Sequence, residues 1–197
     1  EGVCIVITPL ISLMKDQVES LRANGIAARA LNSNNNDTEN VMLRRECMQG
    51  KVKLLYISPE RLLMEMNFLL KEIKVSLFAI DEAHCISQWG YDFRPAYLKI
   101  ADIRQLLPNV PILALTATAT PEVVSDIQAR LGFKQENVFR MSFERKNLAY
   151  IVRTTDNKSD ELLYILKKMP GSAIVYVRNR RKTKEIAELL KNEQITA

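Results

Sequence analysis

Short apolar runs rich in β-branched residues alternate along the chain with longer stretches of helical periodicity. VCIVIT opens the pattern, and in LISLMKDQVESLRANG the residues Ile11, Met14, Val18 and Leu21 share one helical face before Gly25 marks a stop. AARAL, a polar NSNNND loop, a helical TENVMLRRECMQG, the strand KLLYIS, the helix RLLMEMNFLLKEI and the strand VSLFAID follow. After an aromatic loop come the helix YLKIADIRQLL, the strand PILALT, the helix PEVVSDIQARLGF and two β-rich runs, NVFRM and NLAYIV. Helix DELLYILKKM, strand SAIVYV and helix TKEIAELLKN close the series. Strand and helix taking turns predicts an α/β fold, a parallel sheet with helices on both faces.

The polar stretch from Ser142 to Asp160 reads as a connection between domains and places a boundary near Lys146. Residues 1–145 then form a first domain, and 146–197 offer helix, strand and helix only, too little for an independent α/β domain. No apolar run approaches the ~18–20 residues needed to span a bilayer, and the start lacks the basic flank of a signal peptide. Cys4, Cys47 and Cys85 contain no C-x-x-C pair, which argues against a disulfide frame and a zinc knuckle. An intracellular, reducing setting is expected. The net charge of +5 is matched by Arg178, Arg180, Arg181, Lys182 and Lys184 in one run, so no uniformly basic surface is implied.

Thr8-Pro9, Ser58-Pro59 and Thr120-Pro121 each follow an apolar strand and precede a helix, as a hydroxyl N-cap followed by proline would. In a parallel sheet such junctions gather at the strands' carboxyl ends, where ligands bind; ordinary capping accounts for each one singly. VSLFAIDEAH puts Asp81 and Glu82 at the end of a buried strand, where carboxylates need partners or a cation, and Mg²⁺ suits them. Glu82 is then placed to orient and deprotonate an attacking water, with His84 sensing the site. The alternative is that Asp81 caps a turn and His84 is a satisfied polar residue.

Trp89, Tyr91, Phe93 and Tyr97 crowd into nine residues around Arg94, out of thirteen aromatics in the chain. Such rings stack on unpaired bases, or pack as a satellite core beneath a loop. Thr116, Thr118 and Thr120 end another strand and can relay hydrogen-bond changes or simply reflect β preference. The basic run lies where a helix begins, against the helix dipole, and either meets an anion or forms a solvated face.

Taken in order, TPLISLMKDQV, YISPERL, DEAHCISQWGYDFRPAY, LTATAT and IVYVRNRRKT resemble successive motifs of the RecQ DNA helicases of superfamily two. The resemblance implies a RecA-like P-loop fold in two lobes, ATP and Mg²⁺ as cofactors, and 3′-to-5′ movement on single-stranded DNA that opens duplex DNA during repair and recombination. Asp81 would hold Mg²⁺ through water and Glu82 would activate water, with His84 linking the nucleotide to the aromatic loop. Gln88, Thr116 and Thr118 would couple the two, and Trp89, Phe93 and Arg94 would sense DNA. Thr8, Pro9, Ser12 and Lys15, with Ser58, Pro59 and Arg61, would line the strand's path, and Tyr176 and Arg180 match the second lobe's first motif. Motors acting on RNA share the DEAH box and TAT motif, and a non-catalytic single-strand binder also fits.

No G-x-x-x-x-G-K-[ST] phosphate loop occurs in the sequence. The resemblance places that loop before Glu1 and the arginine-finger motifs after Ala197, with zinc-binding and winged-helix regions elsewhere. The chain is therefore expected to be a central piece of a longer helicase, inactive by itself and without zinc.

Overall fold

The computed structural model describes residues 2–89, 94–142, 144–169 and 171–197. The chain divides into two compact units, Glu1–Phe139 and Arg140–Ala197.

The first unit is built on five parallel strands: β1 (Val3–Ile7), β2 (Ala28–Leu31), β3 (Leu54–Ile57), β4 (Val75–Ile80) and β5 (Ile112–Ala114), in the spatial order β2-β3-β1-β4-β5. Alternation sorts the strand residues to two faces. Val3, Ile5, Ile7, Leu55, Ile57, Phe78 and Ile80 enter the larger core. Above them lie α2 (Asp37–Met48), α3 (Pro59–Glu65), α4 (Leu69–Glu72), α5 (Pro95–Leu98), α6 (Ile103–Leu106) and α7 (Pro121–Arg130), which contribute Leu43, Leu62, Leu70, Tyr97, Ile103 and Ile127. The opposite face is covered by α1 (Ile11–Ala23), whose Met14 and Val18 pack with Ala28 and Tyr56, against Val6, Ala30 and Leu54.

Local signals place the helix ends. Asn36 and Glu39 form a reciprocal capping box at the start of α2. Ser58 and Thr120 cap α3 and α7 with proline first, as expected. Gly25, with φ +78°, donates its N–H to the Arg22 carbonyl and ends α1 in the left-handed conformation glycine favours.

Several expectations need correction. Thr8 caps nothing: α1 begins at Ile11 with Leu10 at the N-cap position and no side-chain cap, which leaves Thr8 two residues too early, and its hydroxyl donates to Asp81 instead. The segment read as one helix, RLLMEMNFLLKEI, is α3 and α4 separated by a turn. The segment read as one helix, YLKIADIRQLL, is the end of α5, which Pro95 opens, and α6, joined by a 3₁₀ turn.

The second unit holds α8 (Lys158–Lys168) and α9 (Arg180–Asn192), joined by the Lys167–Glu193 ion pair at 2.6 Å. Among the described residues it contains no strand, so SAIVYV is not the strand expected, and the β-rich runs NLAYIV and NVFRM form none either. The physical reason is the ladder. An extended segment becomes a strand only beside another. SAIVYV keeps the alternation, with Val175 and Val177 half-buried in an apolar groove while Ile174 and Tyr176 are exposed, yet none of the described residues forms a ladder with it.

Among the described residues no helix is long and apolar enough to cross a membrane.

Candidate functional site

The strand order decides where chemistry can gather. From β1 the chain leaves toward β2 and β3, and from β4 it leaves toward β5, so the gap between the carboxyl ends of β1 and β4 is the switch point where parallel α/β sheets bind ligands. Thr8 and Asp81 face each other across it. The fully buried Thr8 hydroxyl donates to Asp81 Oδ2 at 3.3 Å, and the Asp81 N–H donates to the Ile7 carbonyl at 2.8 Å. The other oxygen, Oδ1, accepts from the Glu82 N–H at 2.9 Å. Both carboxylate oxygens are thereby oriented before any ligand arrives.

Glu82 stands in the left-handed region, φ +50° and ψ +41°. For a residue with a Cβ this costs on the order of 1–3 kcal/mol, which the surrounding ladder must offset. The Ala83 N–H on the Leu115 carbonyl (2.9 Å) and the Leu115 N–H on the Ile80 carbonyl (2.8 Å) tie the tip to the end of β5. The strain turns the Glu82 side chain toward His84: Oε2 lies 3.2 Å from Nδ1. The same Nδ1 is 3.0 Å from Thr116 Oγ1 and 3.3 Å from Thr118 Oγ1. One ring nitrogen thus faces a carboxylate and two hydroxyls. Protonated, it donates to the carboxylate; unprotonated, it accepts from a threonine. The Glu82 carboxylate and the two threonine hydroxyls therefore compete for one hydrogen-bonding atom.

The aromatic segment is split by the structure. Trp89 is 79% exposed, and its N–H is held by Ser87 Oγ at 3.2 Å, so the ring stands in solvent on an anchored backbone. Tyr97 is the opposite: its ring is fully buried in the larger core and its hydroxyl donates to the Asp81 carbonyl at 3.0 Å. Burial pushes its phenol well above the usual tyrosine range. Tyr97 is therefore no base-stacking ring but a strut beneath the acidic tip. Tyr91 and Phe93 lie outside the described residues. Arg94 is half-buried, its N–H on the Cys85 carbonyl at 3.1 Å, and Gln88 is exposed next to Trp89.

The remaining candidates separate into groups. Pro9 is half-buried beside Thr8, while Ser12 and Lys15 are exposed on α1, with Lys15 3.8 Å from Glu19. Ser58 and Pro59 are buried at the end of β3, and the Ser58 hydroxyl accepts from the Arg61 N–H at 3.3 Å. Arg61 pairs with Glu65, a fully buried carboxylate also held by Arg44; neither partner was anticipated from sequence. The i, i+4 spacing of Arg61 and Glu65 was the available signal for one of them. In the second unit Tyr176 and Arg180 are exposed, and Arg181 and Lys182 pair with Glu185 along α9, relieving part of the unfavourable charge at its start.

Among the described residues no three His, Cys, Asp or Glu side chains meet as a metal cage. Nucleotide enzymes hold Mg²⁺ by one or two carboxylates, water and the substrate's own phosphates. Asp81 is the residue fitted to hold it. The bound ion would supply charge neutralisation of the phosphates.

The sequence profile described as DEAD/DEAH box helicase matches residues 1–127. The chain is 44% identical to the ATP-dependent DNA helicase RecQ of Pasteurella multocida (strain Pm70) and 46% identical to that of Bacillus subtilis (strain 168), over 100% of this chain in both cases and 32% and 34% of those proteins. It spans about a third of the length of these curated relatives. A solved structure of Mss116p bound to single-stranded RNA and AMP-PNP overlays on 66% of this chain and 27% of that one with a TM-score of 0.53 at 14% identity, a likeness of fold. Parallel sheet, carboxyl-end acidic tip and sequence likeness agree on a RecA-like fold, and this chain belongs to the DEAD/DEAH box helicase family.

Proposed function

We propose that this chain is the part of an ATP-dependent, RecQ-type DNA helicase that answers to the nucleotide and grips the strand, moving 3′ to 5′ on single-stranded DNA and opening duplex in repair and recombination inside the cell. One observation carries the reading: the strained Glu82, beside a pre-oriented Asp81, touches His84, which touches Thr116 and Thr118, while the exposed Trp89 hangs from the same tip. The names of the relatives support DNA as the track. Residues 1–145 belong to the first motor lobe and 146–197 begin the second. Asp81 positions the magnesium-bound phosphates, Glu82 takes the proton of the attacking water, and the His84 relay carries the change to the strand-binding surface. Without a Gly-Lys-Ser/Thr loop the chain alone lacks most of the positive contacts a triphosphate needs, so alone it does not turn over ATP.

In a helicase carrying this chain together with such a loop, Glu82→Gln should abolish DNA-stimulated phosphate release and spare ATP binding. Retained hydrolysis would refute the role of Glu82. Phosphate release by the isolated chain that disappears on the same substitution would overturn its inactivity, and preferential unwinding of RNA duplexes would replace DNA as the track.

A further inference from the structure

Arg44 lies in no motif, yet it holds the most buried carboxylate among the described residues of the first unit. Glu65, on α3, is 0% exposed. Arg44, reaching over from α2, takes both of its oxygens in a fork: Nε on Oε2 at 3.0 Å and a terminal nitrogen on Oε1 at 2.5 Å. Arg61, one turn before Glu65 on α3, approaches Oε1 alone, at 3.0 Å, and its Nε is buried with no hydrogen-bond partner. Two cations share one anion, so the cluster has one positive charge in excess. The fork assigns Arg44 to the carboxylate, since bidentate guanidinium pairing is the stronger arrangement. Hydrogen bonding to Glu65 also holds the Arg44 guanidinium above its ordinary pKa. The uncompensated charge is left on Arg61, at the carboxyl edge of the sheet beside the Ser58 cap.

Building on the strand-binding reading above, we propose that Arg44 is a positioning residue: by occupying Glu65 it frees the Arg61 guanidinium for one backbone phosphate of single-stranded nucleic acid. Without Arg44 the buried carboxylate still needs a full partner, and Arg61, already within reach on the same helix, turns in to supply it. The phosphate then loses its cation although no phosphate-contacting residue was changed.

The test is binding of this chain to fluorescein-labelled oligothymidylate by anisotropy across a salt series, with circular dichroism checking each variant's fold. Each phosphate contact on a single strand contributes about 0.7 to the slope of log K against log salt. Arg61→Gln should lower the slope by about 0.7, and Arg44→Gln should lower it equally. Arg44→Gln/Glu65→Gln, which removes the competing carboxylate, should restore it. If Arg44 touches DNA itself or only supports folding, the double variant stays as weak as the single one and the proposal falls. A wild-type slope in Arg44→Gln beside a reduced slope in Arg61→Gln also overturns it while leaving strand binding intact. An unchanged slope in Arg61→Gln removes the phosphate from this cluster. Absence of any salt-dependent binding by the wild-type chain defeats the strand-binding reading itself.

Discussion

Tyr97→Phe removes a single oxygen and keeps the ring. The ring is fully buried in the larger core, so its apolar burial, roughly 2–3 kcal/mol, is retained. What disappears is the hydrogen bond to the Asp81 carbonyl at 3.0 Å. A net hydrogen bond contributes about 1 kcal/mol, and a stranded buried carbonyl adds up to about 1–3 kcal/mol more. Asp81 is only half-buried, so water can take over part of the pairing, and the expected loss is about 1–1.5 kcal/mol. Urea denaturation followed by circular dichroism should show a lower midpoint at unchanged slope.

The pH dependence offers a second readout, of the buried phenol itself. Burial raises the folded phenol, so the unfolded phenol ionises first, near pH ~10, and from there the unfolded state holds fewer protons than the folded one. The phenol's contribution is therefore complete below pH ~10 and declines as pH rises beyond it. The wild-type chain should lose stability in that range faster than the Phe variant, narrowing the gap between them. A variant within about 0.3 kcal/mol of wild type, with a parallel alkaline limb, would refute the strut beneath the acidic tip.

Trp89→Ala should drop DNA-stimulated ATP hydrolysis in a loop-bearing helicase to the DNA-free rate, because the ring is 79% exposed and base stacking is worth about 1–3 kcal/mol; stimulation at the wild-type level would remove Trp89 from strand sensing. Cys47 is 2% exposed, and burial pushes its thiol up to about 12, so Ellman's reagent near neutral pH should not reach it in the folded chain. Cys47→Ser should accordingly leave the native thiol count unchanged and lower the unfolded count by one, and a lower native count would contradict the burial.

Much of the first unit was legible because its signals are local. Periodicity located the five strands and α1, α2 and α7, and the Ser58 and Thr120 hydroxyls cap as their positions suggested. Cap chemistry depends on only a few neighbouring residues, which is why it can be read from a string. The DEAH and TAT segments could be named as one site through their resemblance to helicase motifs, and their side chains do meet at His84.

Other features depended on partners far along the chain. Thr8 looked like a third cap, but its hydroxyl serves Asp81, 73 residues away, because strand order sets β1 beside β4. Tyr97 could stack on a base or pack in a core by its sequence alone, and only the fold enclosed it in the core. SAIVYV carries every local mark of a strand and lacks only a neighbour to pair with. Glu65 gathers two arginines, one of them from a different helix. Sequence by itself determined the five strands and the longer helices of the first unit, and which residue types could do chemistry, since backbone preference and capping act over a turn or two. Only tertiary structure decided which hydroxyl meets which carboxylate and which ring is exposed, because sheet order and burial arise from contacts between segments that no local preference encodes.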